Sequence, residues 1–345
     1  MVDTDLLVLV AAAELALLLG IALILVFRTA LVAFRVPRRN RTIREAETEL
    51  ITTLESGSPE LGTFSGLRET EQVEALFDLL PNLSGESRTR LAVSAGGGGV
   101  SELGAKWCRS RRWGMRVRGA EVLSVLGQDG PVDDLLEDRR PEVRIRAVIW
   151  AATRNDDQLL DRLCLMLGDP DPGVRFTVMD SLLRVGGAAV EPIRRTIEAD
   201  PDPETTAAAL RVASGIGDHR LAELALRACD DPRTEVRSTA AAAAGSLGGP
   251  HAGARLELLL VDPEADVREQ AVDALRRMNS WAASPEIARL LADPDWPVRR
   301  AAAIALDEFG PIGRLYIRRT ARGEDSLASR VAAQALGPAA SGVPR

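Results

Sequence analysis

Apolar residues recur at intervals of three and four along much of the chain, and short polar turns separate these stretches. In DPDPGVRFTVMDSLLRVGG, residues 169–187, such intervals separate Val174, Val178, Leu182 and Val185. This spacing places them on one face of an α-helix, which repeats every 3.6 residues. The Asp-Pro pair favours the end of the preceding helix, and the Gly-Gly pair favours the end of this one. The pattern predicts a short helix with one apolar face.

The same pattern returns every 31 residues from Asp138 to Glu324. An arginine stands six residues after the acid of each turn, except after Asp200, where Thr206 takes its place. The regular acid and arginine pairs are Asp138 and Arg144, Asp169 and Arg175, Asp231 and Arg237, Asp262 and Arg268, and Asp293 and Arg299. Two short helices cannot bury their apolar faces alone, so repeats of this length stack into a common core. The repeat predicts an all-α solenoid of about eight or nine helix pairs.

The D-P-x-x-x-V-R-x-x-A-x-x-A-L pattern resembles that of HEAT repeats, in the short form also seen in phycobilisome-lyase-like proteins. It covers about residues 131–336, and weaker units at 115 and 87 step back by 28. The resemblance implies a binding scaffold whose turn acids and arginines form a ladder between successive units. A turn aspartate and an arginine in the first helical turn can also satisfy each other and nearby carbonyls. The alternative for the arginines is a phosphate-binding stripe. At Thr206 we expect a local weakness or bend.

Residues 6–27 are apolar except for Glu14 and are long enough to cross a bilayer as one helix. Asp3 and Asp5 precede this segment and Arg28 follows it, which argues against a cleaved signal peptide. Arginines on its C-terminal side predict an N-terminus outside the cell and the remainder in the cytoplasm. The expected location is the inner membrane, as a single-pass protein. Glu14 is either protonated in the outer half of the span or paired with another transmembrane helix.

Two basic segments are candidates for contact with anionic lipid headgroups. The first follows the predicted span, and the second, KWCRSRRWGMRVR, begins at Lys106. The candidate contacts are Arg35, Arg38, Arg39, Arg41, Trp107, Arg111, Arg112 and Trp113. Alternatively, the first group only determines topology, and the two tryptophans belong to the core of an irregular repeat.

Charge and residue spacing argue against several classes of function. The net charge is −7 although both basic segments are positive, so the rest of the chain is strongly acidic, which argues against a nucleic-acid groove. Three scattered cysteines and two histidines lack metal-ligand spacing, and no phosphate-binding loop occurs. We therefore expect no cofactor, no metal, no nucleic acid and no catalytic residue.

A candidate partner surface follows from three positions in each unit, the second, sixth and ninth after its Val-Arg valine. Side chains at these positions should face away from the core. In the first two regular units these positions include Ile145, Ile149, Phe176 and Leu183. Contiguous exposed apolar groups would suit a docked peptide or helix. The alternative is that the register is one residue off and these side chains are core.

The expected organisation is a short external N-terminus and a transmembrane helix, followed by a basic juxtamembrane helix and linker and then by helical repeats. The ranges are 1–5, 6–27, 28–66, 67–130 for irregular repeats, 131–337 for regular repeats and 338–345 for a disordered tail. The expected function is a scaffold at the cytoplasmic face that binds protein partners, at least one of them a membrane protein such as an enzyme or transporter. The alternatives are a sensor that responds to a ligand or lipid and, more remotely, a bilin-lyase-like enzyme.

Overall fold

The computed structural model describes residues 45, 48, 52, 66–79, 99–154, 156–199, 202–322 and 326–336. Several sequence predictions lie outside them: the span at 6–27 with Glu14, Arg35, Arg38, Arg39 and Arg41, the weak unit at 87, the turn positions Asp200 and Glu324, and the ranges 1–5 and 338–345. Every regular element in the described part of the chain is helical, which confirms the all-α prediction. The chain divides into two compact units, Met1–Gly130 and Pro131–Arg345.

The first unit contains α1 (Glu69–Leu79), α2 (Val100–Cys108) and α3 (Trp113–Leu126). Helices α2 and α3 pack closely as a pair because Gly119 lies where they meet. A Cβ at Gly119 would stand 2.5 Å from the backbone nitrogen of Cys108 and 2.6 Å from the carbonyl oxygen of Gly104. Only a residue without a side chain permits this approach.

The second unit is a series of short and long helices. They are α4 (Val132–Leu136), α5 (Pro141–Ala152), α6 (Asp157–Leu165), α7 (Pro172–Val185), α8 (Val190–Ala199), α9 (Pro203–Ile216), α10 (Ala222–Ala228), α11 (Thr234–Leu247), α12 (Ala252–Leu259), α13 (Ala265–Arg277), α14 (Ser284–Arg289), α15 (Trp296–Glu308), α16 (Gly310–Ala321) and α17 (Ser326–Leu336). Each odd-numbered helix from α5 to α15 begins just after an acid-containing turn and pairs with the helix before it.

Helix α7 shows how the turn starts a long helix. Pro172 occupies the first turn, where its missing N–H costs no hydrogen bond. The Asp171 carboxylate accepts hydrogen bonds from the N–H groups of Gly173 and Val174 at 2.9 and 3.1 Å. This is the N-cap arrangement that satisfies otherwise unpaired backbone donors.

The helices of the second unit form two layers with the core between them. The long helices pack on one another, as α5 does on α7 and α11 does on α13, and the short helices form the other layer, as α6 and α8 show. Val174, Val178 and Leu182 of α7 are fully buried, and Val185 is half-buried. The apolar face predicted from their spacing is therefore the face that the solenoid covers.

Candidate protein-binding surface

The long-helix layer is joined from unit to unit by arginine and aspartate side chains. Arg144 donates from Nε and Nη2 to the two carboxylate oxygens of Asp169, at 2.8 and 2.7 Å. Its Nη1 donates to the backbone carbonyl of Asp138 at 2.8 Å. The arginine thus bonds the backbone of its own turn and the carboxylate of the next one, a two-pronged geometry that suits a guanidinium.

We call this pairing of an arginine with the aspartate of the next turn a rung. The same rung recurs farther along the chain. Arg237 binds both carboxylate oxygens of Asp262, and Arg268 binds both of Asp293. Arg175 and Arg299 donate to the carbonyls of their own turns, Asp169 and Asp293, at 2.7 Å each. For these two arginines, the turn acids of the following units lie outside the described residues.

The ladder is interrupted at Thr206, which cannot reach the next turn. Asp231, the acid in that turn, is held instead by Arg233 of the same turn, through Nε at 2.8 Å and Nη2 at 2.7 Å. The Thr206 hydroxyl is buried without a hydrogen-bond partner. The boundary between the unit of Thr206 and the unit of Asp231 therefore lacks the charged rung that Arg237 and Asp262 form at the next boundary.

The rungs shift the ionisation of the groups that form them. The hydrogen bonds that Arg144, Arg237 and Arg268 donate to the partner carboxylates raise the pKa of these arginines above the usual range. Burial acts to raise the pKa of Asp262, but hydrogen bonds from Arg237 and from the Glu264 N–H outweigh it and hold this pKa low. The Arg237–Asp262 rung is therefore an ionised pair at neutral pH.

The candidate partner surface lies on α5 and α7. Phe176 is 73% exposed and Leu183 is 41% exposed, whereas Ile145 and Ile149 are half-buried. Leu183 reaches across to α9, where a Cβ at Gly215 would stand 2.5 Å from its side chain. Apolar groups of two successive units are thus open to solvent together. We call Ile145, Ile149, Phe176 and Leu183 the α5–α7 strip.

The strip does not extend into the next unit. Ala207, at the position in α9 that matches Phe176, is fully buried. Equal spacing along the chain therefore gives different exposure in neighbouring units.

A cleft of about 380 Å³ lies at the C-terminal ends of α5 and α7. It is lined by Ile149, Ala152, Thr153, Ser181, Arg184 and Val185. The Ser181 hydroxyl is buried and makes no hydrogen bond, which is costly unless a ligand or water satisfies it. The cleft thus has an apolar wall beside a buried hydroxyl that makes no hydrogen bond.

The basic cluster of the first unit lies between α2 and α3. Arg111 and Arg112 are exposed, Trp113 is 44% exposed, and Trp107 is half-buried. Arg116 donates to the Ser110 and Arg111 carbonyls at 2.9 and 3.3 Å, which closes the turn that presents them. The alternative in which both tryptophans are core residues is wrong for Trp113, because this residue begins α3 on its solvent side.

Sequence comparison decides the family. Residues 131–195, 190–260 and 253–337 match HEAT repeats. The chain belongs to the HEAT-repeat family. No curated protein matches it.

Several solved structures resemble this HEAT-repeat protein. The CpcE and CpcF complex of phycocyanin lyase from Nostoc sp. PCC7120 is 22% identical, with a TM-score of 0.40, over 44% of this chain and 99% of that one. Human deoxyhypusine hydroxylase is 19% identical, with a TM-score of 0.31, over 77% and 97%. Kap121p bound to RanGTP is 15% identical, with a TM-score of 0.47, over 79% and 37%. These likenesses carry no argument about activity.

The cysteines in the part of the chain that the structure describes are poorly suited to chemistry. Cys108, Cys164 and Cys229 are buried free thiols, and burial raises their pKa values to about 11, 12 and 11. Such thiols stay protonated at neutral pH and are poor nucleophiles. Within the same residues, no group of three or more His, Cys, Asp or Glu side chains could hold a metal. Nor does any helix there have the length and apolar character of a membrane span.

Ser181 belongs to the candidate site but is not among the residues predicted from the sequence. Its place in the sequence, between the apolar-face positions Val178 and Leu182, did indicate that the Ser181 hydroxyl would be buried. Nothing in the sequence indicated that this hydroxyl would lack a partner, because that depends on what the neighbouring helix brings to it.

Proposed function

We propose that this HEAT-repeat protein is a membrane-tethered scaffold that binds a protein partner on the α5–α7 strip. The observation that carries the proposal is the exposure of Phe176 and Leu183 beside a cleft with an unsatisfied Ser181 hydroxyl. An apolar side chain of a partner helix can enter the cleft and pack against its wall. Burial of an exposed phenylalanine side chain contributes about 1.5–3 kcal/mol.

The tether in this proposal is the segment 6–27, with Arg35, Arg38, Arg39 and Arg41 on its cytoplasmic side. Its length, its apolar character and the arginines that follow it support a single inner-membrane span with the repeats in the cytoplasm. Exposed Trp113, Arg111 and Arg112, with half-buried Trp107, suit contact with anionic lipid. A tethered scaffold meets a membrane-protein partner at raised effective concentration. Glu14 would then pair with a helix of that partner.

Site-specific photocrosslinking in intact membranes tests the scaffold. A photoreactive residue in place of Phe176 should capture one integral membrane protein. The control places the same photoreactive residue at Leu258, which is 62% exposed on the short helix α12. Deletion of residues 6–27 should lower the yield from position 176 by at least tenfold, because the effective concentration falls.

Two results would overturn this proposal. Equal capture from positions 176 and 258 would show that the strip is not a specific surface. Digestion of the repeats by protease added outside intact cells would place them on the wrong side of the membrane.

A further inference from the structure

A second cleft lies on the short-helix layer near the C-terminal end of the repeats. Its volume is about 590 Å³, and it is lined by Pro285, Ala288, Arg289, Ala292, Tyr316, Arg319, Thr320 and Ala328. The side chains come from α14, α16 and α17 and from the short turn after α14. We call it the α14–α16 cleft.

Its two arginines differ from those of the ladder. Arg289 and Arg319 are exposed, and neither forms an ion pair with any residue that the structure describes. Arg144, Arg237 and Arg268, by contrast, each bind a carboxylate. Two cations that line one cleft disfavour each other, so a bound anion would stabilise this arrangement.

The surrounding helix adds to the positive charge. Helix α16 carries Arg314, Arg318 and Arg319 and no acidic residue. Arg314 is bound to Asp307, which leaves the other two without a carboxylate partner among the described residues. In a chain with a net charge of −7, this is a local reversal of sign.

We propose that the α14–α16 cleft binds an acidic segment of a partner protein. Each guanidinium can bind a carboxylate through two parallel hydrogen bonds. The Tyr316 and Thr320 hydroxyls can donate to a further acceptor, and the alanine and proline side chains can contact the aliphatic stems of glutamate. The volume falls in the range of ligand sites and exceeds what a single anion fills.

This inference goes beyond the scaffold function, because it names a separate site and the chemistry of its ligand. The cleft is lined mainly by the even-numbered helices α14 and α16, whereas the α5–α7 strip lies on odd-numbered helices. Loss of peptide binding at the α14–α16 cleft would therefore leave partner binding at the α5–α7 strip unaffected, so the two proposals can be tested separately.

The experiment measures binding of a fluorescein-labelled peptide of seven glutamates by fluorescence anisotropy at low salt. The full chain should bind it, and the double variant Arg289→Gln with Arg319→Gln should bind at least tenfold more weakly. Arg318→Gln is the matched control, since Arg318 is exposed on the same helix outside the cleft. It should change affinity less than twofold. Tyr316→Phe keeps the charge and should weaken binding several-fold.

A structural role for the two arginines would give a different result. Because they have no intramolecular partner among the described residues, the double variant should keep the thermal midpoint of the wild type. A substantial fall in that midpoint, an equal loss of binding in Arg318→Gln, or no binding of the peptide at 1 mM would each overturn the proposal. Binding to phosphatidylserine vesicles that falls in the double variant Arg289→Gln with Arg319→Gln, with no binding to the peptide, would also overturn it, in favour of a lipid ligand. The Phe176→Ser variant should bind the peptide normally whether or not the scaffold proposal holds.

Discussion

Arg268 donates to both carboxylate oxygens of Asp293, at 2.8 and 2.9 Å, across the boundary between two repeat units. The side chains are only 9% and 4% exposed. Arg268 also donates to the carbonyl of Asp262 and to the carboxylate of Asp295. One guanidinium therefore holds two consecutive turns and the start of the next long helix together.

Loss of this guanidinium should destabilise the repeats. We expect Arg268→Ala to lower the free energy of unfolding by about 1–3 kcal/mol, because Asp293 would keep a buried charge without its partner. Urea denaturation followed by circular dichroism measures the change. Arg277→Ala is the control, since Arg277 is exposed on the same helix. Equal effects of the two substitutions would contradict the rung.

The interrupted rung should be repairable. Thr206→Arg places a guanidinium where the neighbouring units have one, within the geometry that lets Arg237 reach Asp262. We expect a gain of about 1 kcal/mol in the free energy of unfolding. The gain should disappear in an Asp231→Asn background, which a double-mutant cycle detects. A gain that persists there would show that the added arginine acts elsewhere.

Acid should weaken the ladder. The pKa of Asp262 is held below its usual value near 4, so its contribution to stability is present above about pH 4 and is lost as the pH falls through the folded-state pKa. We expect the urea midpoint of the wild type to fall on acidification below about pH 4. Asp262→Asn should start lower at neutral pH and fall less steeply. Parallel curves for the two proteins would contradict this assignment.

Two adjacent leucines should respond differently to truncation. Leu182 is fully buried, whereas Leu183 is 41% exposed on the strip. We expect Leu182→Ala to cost about 2–5 kcal/mol, because it leaves a cavity in the core. Leu183→Ala should cost less than about 1 kcal/mol. Thermal or urea unfolding of both variants makes the comparison, and a reversed order would mean that the face of α7 is misassigned.

Two glycines of α3 provide a matched pair in the first unit. Gly119→Ala should destabilise, because the new methyl group would meet the backbone of α2 at Cys108 and Gly104. Gly114→Ala meets no atom within 4 Å and should leave stability unchanged or raise it by up to about 1 kcal/mol. The thermal midpoints of the two variants test this, and tolerance of Gly119→Ala would contradict the close packing of α2 and α3.

The sequence by itself determined the repeat. Val174, Val178 and Leu182 lie one helical turn apart, so their spacing places them on one face whatever they pack against. Proline and glycine at the turns determined where many helices begin and end, because backbone geometry is local. The family followed from the same positions, and so did the column of turn acids and arginines.

Only the tertiary structure decided which groups meet. Arg144 lies six residues from Asp138 and twenty-five from Asp169, yet its guanidinium binds the carboxylate of the distant residue and only the backbone of the near one. Phe176 and Ala207 hold equivalent positions, yet the first is exposed and the second is buried. Periodicity specifies which residues share a face. What that face contacts depends on how successive units stack, and stacking is set by side chains from two units at once.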